Sequence, residues 1–162
     1  MKKYKVLNIL VFGLLMVTSC SVKQVATQKQ YDKEALAQMM EALENAITDT
    51  PYCALIQKTS VEAVLEDDYV KRINHAKVLK TFRGQQLNNI SYISYTEKGD
   101  SIQISDKPVV ITLCVKNGGF YLPYEAGSEF PAIEEAIKKA EVTGKKLKFV
   151  KQQSFSDCEW PE

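Results

Sequence analysis

Val109-Val110-Ile111-Thr112-Leu113-Cys114-Val115-Lys116-Asn117-Gly118-Gly119-Phe120-Tyr121-Leu122 reads as two β-strands joined by a tight turn. Branched and aromatic residues fill both arms, and Asn-Gly tolerates the positive φ values that a short hairpin demands. Along the first arm Val109, Ile111, Leu113 and Val115 alternate with Val110, Thr112, Cys114 and Lys116. That period of two predicts the first set toward the core and Cys114 on the opposite face.

The same texture extends upstream to Pro51. Cys53 to Leu65, Ile73 to Phe82, Asn89 to Tyr95 and Ser101 to Ser105 are rich in strand formers, and Phe120 to Leu122 completes the set. The strands are separated by Glu66-Asp67-Asp68, Arg83-Gly84-Gln85, Lys98-Gly99-Asp100 and Asp106-Lys107-Pro108, all suited to turns. Two helical patterns flank this region. Leu36, Met39, Met40, Leu43, Ala46 and Ile47 form one apolar stripe; Asp32 caps its start and Thr50-Pro51 stops it. The second helix begins around Pro131 and is expected to end at Thr143-Gly144. Ile133, Ala136, Ile137 and Ala140 supply its stripe, with Glu134/Lys138 and Glu135/Lys139 spaced for ion pairs along one face. A strand over Leu147 to Val150 and a tail with Phe155, Cys158 and Trp160 close the chain.

The expected fold class is therefore mainly β with flanking helices: a small OB-like antiparallel barrel, one N-terminal amphipathic helix and one C-terminal covering helix. The predicted organisation is a signal segment over residues 1–19, a tether over 20–31 and a single globular domain over 32–162. Within that domain the expectation is helix 32–48, barrel region 53–124, helix 131–142, and a strand and tail over 145–162. The 162 residues, 45% of them hydrophobic, suit one ordinary domain with appendages. Lys2, Lys3 and Lys5 are the only charges before Cys20, which leaves 18 basic against 20 acidic side chains, a charge of −2. Such a balance gives no footprint for nucleic acid.

The amino terminus carries an address. Met1-Lys2-Lys3-Tyr4-Lys5 is a basic head, and Val6 to Val17 is an apolar run broken only by Asn8, too short to span a bilayer. It ends in Val17-Thr18-Ser19-Cys20, which resembles the lipobox of bacterial lipoprotein precursors. The resemblance implies cleavage before Cys20, a diacylglyceryl thioether on its sulfur and acylation of the new α-amine. Each buried methylene is worth ~0.8 kcal/mol, so three chains anchor stably without a transmembrane helix. Ser21 stands where many inner-membrane lipoproteins carry Asp, which implies transfer to the outer membrane, facing the periplasm. The polar segment Ser21 to Gln30 reads as the tether.

A second resemblance lies in the strand region. Ala76-Lys77-Val78-Leu79-Lys80-Thr81-Phe82-Arg83-Gly84, then Ile90-Ser91-Tyr92, then Leu113-Cys114 and Gly118-Gly119-Phe120-Tyr121-Leu122 resemble the netrin-like module of tissue inhibitors of metalloproteinases and their bacterial relatives. The likeness covers roughly Cys53 to Leu122 and implies an OB-type binding module. The inhibitors' amino-terminal Cys-x-Cys, whose free α-amine chelates the protease zinc, has no counterpart: Cys20 is expected to be acylated and Cys53 is peptide-bonded to Tyr52. Protease inhibition is thus not inherited.

With Cys20 assigned to lipid, Cys53, Cys114 and Cys158 remain in an oxidising compartment, enough for one disulfide and one thiol. The resemblance implies Cys53 with Cys114, because Cys114 matches a family cysteine that bonds toward the amino terminus. Cys53 with Cys158 stays open, since that bond would pin the tail.

Enzymatic motifs are missing from the sequence. There is no P-loop, no Gly-x-Gly-x-x-Gly, no His-Glu-x-x-His and no EF-hand loop, so no cofactor, metal or catalytic residue is assigned. Glu66-Asp67-Asp68 lacks the alternating oxygen ligands of a calcium loop and reads as a solvated turn. The single histidine, His75, shares a strand face with Ile73 and Leu79 and reads as a partly buried polar residue. Tyr52, Tyr69, Tyr92, Tyr95, Tyr121 and Tyr124 cluster in the strand region, where aromatic rings can stack ligands, yet Tyr92 and Tyr95 have opposite parity and cannot share a face. The expected function is a lipid-anchored, non-catalytic binding or assembly module, its partners the membrane through Cys20 and an envelope protein or glycan. The alternative is a periplasm-facing hydrolase using carboxylates or His75.

Overall fold

A computed structural model describes residues 32–67, 69–100, 105–123, 128–147 and 158, all within the compact unit Tyr31–Glu162. The lipobox with Cys20, the tether, positions 101–104 of the expected Ser101–Ser105 strand, positions 148–150 of the expected last strand, Tyr124, Phe155 and Trp160 lie outside the described residues.

Helix α1 runs Lys33–Asp49. Asp32 is its cap, accepting the Ala35 amide at 2.8 Å, and extended Thr50 before Pro51 ends it. Strands β1 (Tyr52–Leu65), β2 (Tyr69–Arg83) and β3 (Asn89–Glu97) form an antiparallel meander. Strand β4 (Val109–Lys116) turns through Asn117 and Gly118, at φ of 52° and 78°, into β5 (Gly119–Tyr121). Both central residues thus take the positive φ of the expected hairpin turn.

The ring then closes. β5 lies parallel to β3 through Tyr92↔Phe120 and Ile93↔Tyr121, and β4 pairs antiparallel with β1 from Tyr52↔Leu113 to Ile56↔Val109. The order β1-β2-β3-β5-β4-β1 is a closed five-stranded barrel, OB-like in its partners. Short β6 (Glu129–Pro131) follows on the β4 edge that β5 vacates, and α2 (Glu134–Leu147) covers the outside. The expected fold class is the observed one.

The core has two layers, and β4 separates them. Tyr52, Ala54, Ile56, Tyr92, Ile111 and Leu113 fill the barrel interior with Ala76 and Ile90. On the outer side Cys53, Phe82 and Val110 pack beneath Leu43 and Ile47 of α1, Ala136 and Ala140 of α2, and Phe130. Hence Val110, Thr112 and Cys114 are as buried as Ile111 and Leu113, whereas Val115 is 47% exposed. The alternation holds for Val109, Ile111 and Leu113, which face the barrel interior, and for Cys114 on the opposite face; Val115, expected in the core, is the correction, because it lies exposed at the strand's end.

Three further expectations shift. Pro131 closes β6 rather than opening α2, which starts at Glu134. Thr143-Gly144 does not end α2, which continues to Leu147; the strand expected from Leu147 therefore does not begin there. Gly144 serves contact instead, because a Cβ there would meet the Phe82 carbonyl oxygen at 2.3 Å. Lys139 pairs with Glu44 of α1 at 2.7 Å, tying helix to helix.

Candidate functional site

Asn74 and Ala76 of β2 are buried inside the barrel, so Tyr69, Lys71, Ile73 and His75 point outward; beyond Val78 a register shift against β1 reverses the parity and turns Phe82 to the outer side. Register then builds the outer face in rows, since opposed residues of an antiparallel pair share a face. Ser60, His75 and Ser91 form one row, Glu62, Ile73 and Ile93 the next, then Val64, Lys71 and Tyr95, with Tyr69 opposite Glu97 at the far end. Val64 and Tyr69 are each 48% exposed and Tyr95 38%, against complete burial of the outward residues Cys53 and Val110 under the helices.

The face ends at the β4–β5 turn in a groove of about 260 Å³. Ile93 and Tyr95 form one wall; Lys116, Asn117, Gly119 and Tyr121 contribute the other. Tyr121 is held from behind, donating its hydroxyl to the Cys158 carbonyl at 2.6 Å. Burial raises that hydroxyl's pKa, so it stays a donor at neutral pH. Tyr95 thus meets the outer surface while Tyr92, of opposite parity, is core.

His75 is half-buried on the same face. Its Nδ1 lies 2.8 Å from Ser91 Oγ and its Nε2 3.3 Å from Glu62 Oε1. The serine, imidazole and carboxylate contact in series, the order of a proton relay. Yet the Glu62 side chain is 69% exposed, and Ser91 lies mid-strand in the β2–β3 ladder rather than at a turn where amides converge on an oxyanion. The acidic β1–β2 connection makes local contacts: Glu66 lies 3.8 Å from Lys71, and the Asp67 carbonyl accepts from Lys98. Among the described residues no group of three or more His, Cys, Asp or Glu is placed to hold a metal ion, and no helix is long and apolar enough to cross a membrane.

The cysteine pairing is corrected. Cys114 bonds Cys158, and Cys53 is a buried thiol. Register explains why Cys53 does not reach Cys114: its β4 partner is Thr112. Burial pushes the Cys53 thiol up to about 12, only partly offset by the Arg83 guanidinium, so it is neither reactive nor poised for exchange. Arg83 instead donates to the carbonyls of Ile47 and Thr48, satisfying the end of α1.

One polar network had no sequence signal. Glu129 of β6 receives Lys58 at 2.8 Å and the Tyr92 hydroxyl at 3.0 Å, joining residues 37 or more positions apart. Burial and the neighbouring Glu129 carboxylate raise the Tyr92 pKa, which keeps the phenol protonated. Only the closed barrel brings these three together.

No family model matches the chain, and neither a curated protein nor a solved structure is significantly similar to it.

Proposed function

We propose that this chain is a lipid-anchored lipoprotein of the bacterial cell envelope, held through Cys20 in the outer membrane and facing the periplasm. Its barrel is a non-catalytic binding module that presents the outer face of β2 and β3 to an envelope protein or glycan. The basic head, apolar run and Val17-Thr18-Ser19-Cys20 support the anchor. The netrin-like resemblance supports a binding role.

The observation that carries the binding role is the gathering of Val64, Tyr69 and Tyr95 on one exposed sheet face, beside the groove at the β4–β5 turn. Exposed apolar residues clustered on a rigid surface mark interaction sites, and this is the face on which OB barrels hold ligands. Mass spectrometry of the amino-terminal peptide tests the anchor, with acyl mass on Cys20 expected and an unmodified Cys20 refuting it. Retention of envelope components by the wild type but not by a Tyr69→Ala/Tyr95→Ala variant of equal thermal midpoint tests the face. Equal retention by both refutes it.

The Ser91–His75–Glu62 contacts favour a second reading, ester or amide hydrolysis on the same face. Turnover of an activated ester that His75→Ala and Ser91→Ala both abolish would establish it.

A further inference from the structure

The groove between Tyr95 and the β4–β5 turn is specific enough in size and chemistry to restrict its occupant. Its volume of about 260 Å³ admits one six-membered sugar ring with its substituents, but not a folded protein element such as a helix. Its β3 wall is rigid, because Ile93 is paired to Ile73 on one side and to Tyr121 on the other. An extended peptide adding to this strand at Ile93 would find both backbone edges taken, so recognition there falls to side chains.

Those side chains are an aromatic ring, an amide and a cation. Tyr95 offers an exposed ring for stacking, Asn117 an amide that both donates and accepts, and Lys116 a positive charge at the rim. Lys71 stands directly across from Tyr95 on the same face, but it lies 3.8 Å from Glu66, which leaves Lys116 as the cation nearest the groove. Glu97 lies two positions further along β3, so an anionic ligand group is repelled there and drawn toward Lys116.

We propose, resting on the reading of this face as the binding surface, that the groove seats one pyranose ring of an anionic saccharide. The ring lies against Tyr95, its carboxylate or phosphate faces Lys116, and Asn117 bonds a ring hydroxyl or acetamido group. Tyr121, fixed from behind by Cys158, supplies the shape of the far wall rather than a ligand contact.

The test uses the full chain in detergent, titrated by calorimetry with two probes: a galacturonate trisaccharide, anionic, and an N-acetylglucosamine trimer, neutral. Saturable binding of the anionic probe is expected, with Tyr95→Ala and Lys116→Ala each weakening it by about tenfold and Leu79→Ala, at the other end of β2, leaving it unchanged. Equal affinity for the neutral trimer together with a silent Lys116→Ala overturns the anionic assignment. No binding of either probe at millimolar concentration overturns the saccharide inference. In that case a photocrosslinker at position 95 that captures an envelope protein in cells leaves the binding face standing, whereas no capture there removes both.

Discussion

β4 and β2 are neighbours of the same strand, β1, yet they live in different solvents. Val110, Ile111, Thr112, Leu113 and Cys114 are buried without exception: the barrel interior takes Ile111 and Leu113, the two helices cover Val110, the Thr112 amide donates to the Ser128 carbonyl, and Cys114 is bonded to Cys158. Along β2 the inward Asn74 and Ala76 are buried while Lys77 and Leu79 meet water. A sheet buried on both faces reads as an unbroken apolar run, and one buried on a single face reads as alternation. The contrast divides the molecule into a sealed half that carries stability and an open half left available for contact.

The largest effect that would break this division lies in the sealed half. Leu113→Ala is expected to cost ~2 to 5 kcal/mol from lost transfer energy plus the cavity, while Leu79→Ala, 43% exposed, costs less than about 0.5 kcal/mol. Denaturant unfolding of the two variants decides; similar losses would mean that the faces are wrongly assigned. Next comes the bond that fastens Cys158 to β4. Its sequence separation of 44 makes Cys158→Ser worth ~2 to 4 kcal/mol, read as a lowered thermal midpoint that a reductant reproduces in the wild type. A Cys53→Ala protein should still form this bond, as a thiol count on the unfolded chain would show.

Gly144→Ala sharpens the contrast at the helix–sheet contact. The added methyl overlaps the Phe82 carbonyl, and overpacking of this kind costs ~1 to 3 kcal/mol even though alanine is the better helix former. A stabilised variant would show that α2 does not press on β2. The smallest effect concerns pH. Cys53, Tyr52, Tyr92 and Tyr121 all have raised native pKa values, chiefly through burial. Their unfolded counterparts ionise first as pH rises, so stability is complete below about pH 9 and declines above it. Midpoints measured from pH 7 to 11 should fall, and Cys53→Ala should flatten part of the decline.

Features that rest on local signals were legible in the sequence. The Asn117-Gly118 turn, the opposite parity of Tyr92 and Tyr95, and the Asp32 cap each depend on residues within a few positions of one another. What was not legible depends on closure. Burial of Val110 on its outer side requires both helices to fold over β4, and the Cys114–Cys158 bond requires residues 44 positions apart to meet. Gly144 looked like a helix stop because glycine serves both chain reversal and close approach, and only the neighbouring Phe82 carbonyl distinguishes them. In the candidate site, Tyr95 was visible, but its partnership with Lys116 and Asn117 follows from the parallel β3–β5 contact that brings the turn beside it.

The division of labour between the halves is tested most directly by placing a photocrosslinking residue at either of two exposed positions, Tyr95 on the open sheet or Val142 on α2, in intact cells. Capture of an envelope component from position 95 but not from 142 is the predicted result. Capture from 142 alone would contradict the account and move the contact surface to the helices.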